Sequence, residues 1–534
     1  MDWNYGDILD GIDSIMPADA PALVHGDQRV NWSDFAARTN RVARALRARG
    51  VETGDKIGFY LRNCTEYSEA LVGAFKGRLV HVNVNFRYLD DELAYILENS
   101  DSTAVLYGAE FLDRVERVRA RLPQIKEWIQ VGGEAPRWAT SYEELAESGD
   151  ASPLEIERSG DDLLFIYTGG TTGMPKGVMW RHADLWGALR YGATMPCNGG
   201  DMPADLEALL SNVRAYGPGG AQIPACPLMH GTGLFTAINA LACGTAIVTL
   251  KAPGFNPEEL LDAVPVNKVT SVVIVGDAFA KPLLDALELN PGRWDLSSIG
   301  LIVSSGVMWS REVKSGLLRH NPGMVLFDSF GSSEAVGFGS SITTAEGETT
   351  TARFQIGEQC KVFTEDHREV APGSGEKGFI ARSGPIPTGY YKDPEKTAKT
   401  FPVIDGVRYS IPGDWCTVDE DGTLNLLGRG SVCINTAGEK VFPEEVEEAL
   451  KTHADVVDAL VVGMPDDKWG QAVTAVVELR AGATFDEAAL RGYIRERLAG
   501  YKTPKRVVPI DKMLRAPNGK ADYKGATAFI AEHV

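Results

Sequence analysis

The sequence predicts an α/β fold, and three observations carry that prediction. Short β-branched runs alternate with helical patterns through the first half of the chain, as parallel strands covered on both faces require. Glycines and prolines thicken across 331–412, which reads as a more β-rich section. Past Gly428 the pattern becomes a compact α+β unit. With 534 residues and 44% hydrophobic content, the chain can bury large cores in about three or four domains.

The elements follow in order. Ser33 reads as an N-cap for a helix with Phe35, Val42, Ala45 and Leu46 on one face and Gly50 as its stop. A strand is expected at 56–61 and a helix through 66–75, then strands at 104–107, 246–250 and 271–275. The apolar run 163–166 reads as a strand entering a loop. In the last part, 444–451 and 486–498 read as helices and 456–462 and 472–479 as strands. The chain shows neither an internal repeat nor a low-complexity tract.

Bulk properties exclude several classes. Lys and Arg number 53 against 73 Asp and Glu, a net charge of −20 with no basic tail, which argues against a nucleic-acid binder. The 7 cysteines are scattered without a C-x-x-C, and no secretory apolar segment follows Met1, so a reduced, cytoplasmic protein is expected. The 8 histidines are dispersed rather than set at metal-ligand spacing. No apolar run is long enough to span a bilayer, so no integral membrane segment is expected.

The most informative stretch is Tyr167-Thr168-Gly169-Gly170-Thr171-Thr172-Gly173-Met174-Pro175-Lys176-Gly177. Its glycines let backbone N–H groups approach an anion, and its threonines and lysine suit phosphate oxygens. It is not a Walker A loop, because Pro175 precedes Lys176 and Gly177 follows it. Other blocks stand in order around it: Val82-Asn83-Val84-Asn85-Phe86-Arg87-Tyr88 with Glu92-Leu93, Pro227-Leu228-Met229-His230-Gly231-Thr232-Gly233, and Asp328-Ser329-Phe330-Gly331-Ser332-Ser333-Glu334. Later come Gly413-Asp414, Gly428-Arg429, Gly438-Glu439-Lys440 and Pro517-Asn518-Gly519-Lys520. Together these blocks resemble, along nearly the whole chain, the adenylate-forming superfamily, and within it the AMP-dependent acyl-CoA synthetases and fatty-acid–CoA ligases.

That resemblance implies a large N-terminal domain of α/β layers with a β-rich subdomain (1–428) and a small mobile α+β C-terminal domain (429–534). The hinge would lie near Arg429–Ser431, where Ser431 stands in place of the family's usual Asp or Lys. It also implies ATP, Mg2+ and coenzyme A. A carboxylate attacks the α-phosphate to give an acyl-adenylate, and a thiol then displaces AMP. Because the first half joins two anions, catalysis is mainly positioning and charge neutralisation. Lys520 would be the essential cation, Glu334 the Mg2+ ligand, and His230 a residue near the carboxylate and thiol, or simply a structural histidine. ATP would meet Thr168, Gly169, Gly170, Thr171, Thr172, Gly173, Lys176, Gly306 and the block Asp328, Ser329, Phe330, Gly331, Ser332, Ser333. Phe330 replaces the commoner Tyr and Ser333 the commoner Thr. Asp414 and Arg429 would hold the ribose, or form an ordinary ion pair. Gly438, Glu439 and Lys440 would enter for coenzyme A.

Met229, His230, Gly276, Ala278, Phe279 and Trp309 would line the acyl pocket, with Trp309 either narrowing it or packing in the core. Small Gly276 and Ala278 leave room for a large acyl group. The stretch 192–222 and the ending Asn518–Tyr523 resemble actinobacterial acyl-CoA synthetases for fatty acids and sterol side-chain acids. The expected substrate is therefore a lipophilic medium-chain, long-chain or steroid-linked acid, in lipid or steroid metabolism. An aryl acid of the cinnamate or benzoate type is the alternative, as is an acyl-AMP ligase loading a separate carrier protein. A non-catalytic nucleotide-binding protein is a third reading. A homodimer is left open.

Overall fold

The computed structural model describes residues 3–168, 175–189, 203–217, 219–307, 309–347, 351–429, 432, 434–436, 439–466, 470–498, 500–516 and 519–533, leaving aside the side chains at 216, 429, 435, 439, 440 and 470. The chain forms two compact units, Met1–Thr351 with Arg382–Ser410, and Ala352–Ala381 with Ile411–Val534.

Among the described residues, the first unit holds two large sheets and a small antiparallel pair, Val403–Ile404 with Val407–Arg408. In one, the strands Val80–Asn83, Lys56–Tyr60, Ser102–Gly108 and Glu127–Val131 run parallel, and Leu163–Thr168 joins parallel to Val80–Asn83. Lys176–Arg181 then returns antiparallel to Leu163–Thr168, and Gly389–Tyr390 pairs with that return strand. The other sheet is parallel through Pro21–His25, Ala246–Thr249, Ala221–Pro224, Val269–Ile274, Leu301–Ser305 and Val325–Ser332. Ala335–Thr343 turns back antiparallel on it. The valines and isoleucines of the central parallel strands, such as Ile57, Val82, Val105, Ile129, Val272, Val273, Ile274, Ile302 and Val303, are buried, as strands covered on both faces demand.

The sequence placed these elements with small boundary shifts and one correction. The helix expected after Ser33 is Trp32–Ala48, and its N-cap is Asn31, not Ser33. Trp32 is already helical, so the amide three residues after Asn31 is that of Asp34, and Asn31 Oδ1 accepts it at 2.7 Å. The expected apolar face holds: Phe35, Val42 and Leu46 are buried.

The second unit contains the strands Arg353–Ile356, Cys360–Phe363, Asp414–Val418 and Thr423–Arg429. It also contains an α+β layer in which Val456–Asp466 and Gly470–Leu479 form a long antiparallel pair and Arg506–Ile510 lies parallel to the second. The helices Pro443–Lys451, Glu487–Arg495 and Tyr523–His533 supply Val446, Leu450, Leu490, Ile494 and Ile530 to its cores. The junction expected at 428/429 falls inside this unit, at the end of the strand Thr423–Arg429. Among the described residues no helix is long and apolar enough to cross a membrane.

Candidate ATP and acid site

In parallel α/β sheets, ligands gather at the carboxyl ends of the strands, where the loops are free to vary. Four predicted segments of the first unit lie there side by side. Ser304 and Ser305 stand in register with Asp328 and Ser329, and Ile274 with Ser304. Gly276 N–H donates to Ser304 Oγ at 2.9 Å, closing the next turn onto the same point. A methyl placed on Gly306 would lie 3.7 Å from Thr232 Oγ1 and 3.9 Å from Val275. One placed on Gly231 would lie 3.9 Å from Ser333 Oγ. The fold therefore unites the blocks of Gly276, Gly306, His230 and Ser333, although they are distant in sequence.

The threonine- and glycine-rich loop is framed by its two flanking strands. Thr168 ends the incoming strand and pairs with Lys176, which opens the outgoing one; Gly169, Gly170, Thr171, Thr172 and Gly173 lie outside the described residues. Gly177 must be glycine, because a Cβ there would sit 2.7 Å from the Tyr167 ring. Lys176 Nζ pairs with the Asp393 carboxylate. Trp180, fully buried on the outgoing strand, donates its indole N–H to Ser333 O at 2.9 Å, which ties that strand to the block Asp328–Glu334.

The buried Asn83 clamps the loop from the other side. Its Oδ1 accepts Tyr167 N–H at 2.6 Å, and its Nδ2 donates to Tyr167 O at 3.0 Å and to Met229 O at 2.7 Å. One amide thus joins the loop entrance to the residue before His230. Asn83 belongs to a block singled out in the sequence, but nothing in a single sequence showed its partners. An asparagine inside a valine-rich strand was the available signal, since asparagine is depleted in strands.

Glu334 is buried at 8% exposure and held at several points. Its N–H donates to Ser332 Oγ at 3.2 Å, its C=O accepts Ser410 Oγ at 2.7 Å, and Tyr390 OH donates to Oε1 at 2.7 Å. Asp328 is also buried, and Lys314 Nζ lies 3.1 Å from its Oδ2. Burial pushes the Asp328 carboxyl up, while the Lys314 ammonium pulls it down. Phe330 stands 5.3 Å from Phe338 between ring centroids, and Gly331 completes the strand before Ser332. A fixed carboxylate amid hydroxyls suits Mg2+, which takes hard oxygen ligands and arrives with nucleotide phosphates. Among the described residues no group of three or more His, Cys, Asp or Glu is placed to hold a metal ion.

His230 precedes the helix Gly231–Leu241 as its N-terminal boundary residue. Met229, Phe279 and Trp309 are all buried in the cores beside the carboxyl ends. Phe279 packs on Phe255 at 4.7 Å, and Lys314 Nζ lies 5.4 Å from the Trp309 ring centroid. Ala278 lies in the first turn of the helix Asp277–Leu289, partly buried against the same core, and Asp277 accepts Ser310 N–H at 3.0 Å.

The second unit carries the remaining candidates. Asp414 is buried and stands directly opposite Arg429 in the antiparallel pair. Gly430, Ser431 and Gly438 lie outside the described residues, and Glu439 and Lys440 form a short strand whose side chains are not described. Lys520 is exposed on a tight turn: Ala516 N–H donates to Lys520 O at 2.8 Å, and Gly519 N–H to Ala516 O at 2.8 Å. Pro517 and Asn518 of that turn lie outside the described residues. Arg515 braces it, bonding Asp458 at 2.5 Å and 2.7 Å and Gly519 O at 3.2 Å.

This arrangement matches known proteins along its whole length. The AMP-binding enzyme family matches residues 15–391, and the AMP-binding enzyme C-terminal domain matches 445–520. The chain belongs to the AMP-binding, adenylate-forming enzymes. A Mycobacterium marinum medium/long-chain-fatty-acid–CoA/3-oxocholest-4-en-26-oate–CoA ligase is 41% identical over 98% of this chain and 96% of its own. A 3-oxocholest-4-en-26-oate–CoA ligase from Rhodococcus rhodochrous is 41% identical over 98% and 96%. Feruloyl-CoA synthase from Amycolatopsis sp is 30% identical over 95% of each chain. The anthranilate CoA ligase AuaEII in complex with anthranoyl-AMP superposes with a TM-score of 0.84 at 22% identity, covering 99% and 98%, which speaks to the fold.

Proposed function

We propose that this AMP-forming acyl-CoA synthetase activates a lipophilic carboxylic acid, a medium- or long-chain fatty acid or a steroid side-chain acid, and transfers it to coenzyme A. One observation carries the choice of acid: the near-complete 41% match to ligases named for fatty acids and for 3-oxocholest-4-en-26-oate. Small residues at Gly276 and Ala278, just past Val275, which lies beside Gly306, support room for a large acyl group.

In this reading Thr168, Lys176 and the loop between them receive the phosphates, and the block Asp328–Ser333 with Gly306 receives the nucleoside. Glu334 holds Mg2+, which supplies charge neutralisation on the phosphates. Lys520 offsets the repulsion between carboxylate and α-phosphate, and Asp414 with Arg429 holds the ribose. Gly438, Glu439 and Lys440 serve the thiol step after a hinge movement near Arg429–Ser431. A cytoplasmic location and a homodimer complete the reading.

The test is a panel of acids incubated with ATP, Mg2+ and coenzyme A, with AMP and acyl-CoA measured. Fatty and steroid-chain acids should give the highest kcat/KM. Preference for ferulate, cinnamate or benzoate would overturn the choice of acid while leaving the ligase reaction standing.

A further inference from the structure

The segment 389–391, inside the glycine- and proline-rich stretch, reaches Glu334 from a direction that no sequence motif indicates. Gly389 and Tyr390 pair antiparallel with Met179 and Val178 on the strand leaving the phosphate loop. Tyr391 N–H adds a bond to Gly177 O at 2.8 Å. Gly389 has φ +149, and a Cβ there would meet Thr397 Cγ2 at 2.5 Å, so this close approach admits only glycine. Thr397 Oγ1 in turn accepts Tyr390 N–H at 2.9 Å. Asp393 caps the helix Pro394–Thr400 through Lys396 N–H at 2.9 Å. The backbone of Tyr390 is therefore fixed on both sides.

Its side chain is fixed as well. Tyr390 is buried at 4% exposure, with Phe401 at 5.9 Å between ring centroids and Lys396 Nζ 4.3 Å from its ring centroid. From that mount its hydroxyl donates to Glu334 Oε1 at 2.7 Å. We propose that Tyr390 is a positioning residue for the metal-binding carboxylate: it occupies Oε1 of Glu334 and so orients the group, leaving Oε2 to serve Mg·ATP. A carboxylate free to rotate would lose part of its ion affinity to reordering, and the tyrosine removes that loss in advance. The inference rests on the reading of Glu334 as the Mg2+ ligand.

The test is equilibrium binding of ATP at increasing Mg2+ to wild type, Tyr390→Phe, Glu334→Gln and the double variant, with thermal midpoints measured alongside. Phenylalanine keeps the ring packing, so Tyr390→Phe should fold normally and raise the half-saturating Mg2+ roughly tenfold. Glu334→Gln should raise it further, and the double variant should be no worse than Glu334→Gln alone. A wild-type Mg2+ dependence for Tyr390→Phe, with Glu334→Gln clearly shifted, would overturn the positioning role. Additive shifts in the double variant would overturn it too. If Glu334→Gln itself left the Mg2+ dependence unchanged, the assignment of the carboxylate would fail first.

Discussion

Glu334 and Lys520 carry the two opposite charges that the proposed function gives to adenylation, and they are built in contrasting ways. Glu334 is buried, with its N–H, its carbonyl and one carboxylate oxygen each bonded to a different side chain. Lys520 is exposed on a turn of a few residues, with its backbone bonded within the turn and Arg515 bracing the base. A group that must hold an ion in one geometry gains from being locked before the substrate arrives. A group that serves one half-reaction and then withdraws is better placed on a small, exposed, stiff mount.

The contrast can be tested at either end. Lys520→Ala should lower acyl-CoA formation by roughly 10²-fold or more, because a charge near a developing anion in a dry site contributes several kcal/mol. Its thermal midpoint should stay near wild type, since the side chain is exposed. Glu334→Gln should cost roughly tenfold to 10²-fold at ordinary Mg2+, read from initial rates across a Mg2+ series. Asn83→Ala tests the locked side without touching a charge. It strands Tyr167 N–H and two carbonyls, so urea unfolding should show a loss of about 1–3 kcal/mol, together with a raised KM for ATP.

The smallest expected effect concerns the unit that carries Lys520. Glu447 is buried beneath Tyr523, and burial first, then Glu444, raises its carboxyl well above the ordinary range. Its folded form therefore holds a proton more tightly than the unfolded chain does. Stability is greatest at and below the ordinary carboxylate range, about pH 4, and is lost as pH rises toward the raised folded value. Glu447→Gln should flatten that decline, by on the order of 1 kcal/mol, in urea melts taken from pH 5 to 8.

How much of this was legible in the sequence depended on the range of the interactions. The alternation of strand and helix was readable, because burial on both faces imprints continuous apolar runs such as Val269–Ile274. The motif residues could be placed in blocks, and the register of Leu301–Ser305 beside Val325–Ser332 brings two of those blocks together. The tethers were not readable. Trp180 to Ser333, Tyr390 to Glu334 and Asn83 to Met229 are long-range bonds between ordinary residue types. The exchange of Ser33 for Asn31 as a cap is the opposite case, a local choice between two good capping residues that moves the helix start by two residues.

The most direct measurement separates the half-reactions of Lys520→Ala: acid-dependent ATP–pyrophosphate exchange on one side, and acyl-CoA formation from supplied acyl-adenylate on the other. The account predicts exchange reduced by roughly 10²-fold or more, with thioester formation within about threefold of wild type. Equal losses in both, or exchange at the full wild-type rate, would contradict it.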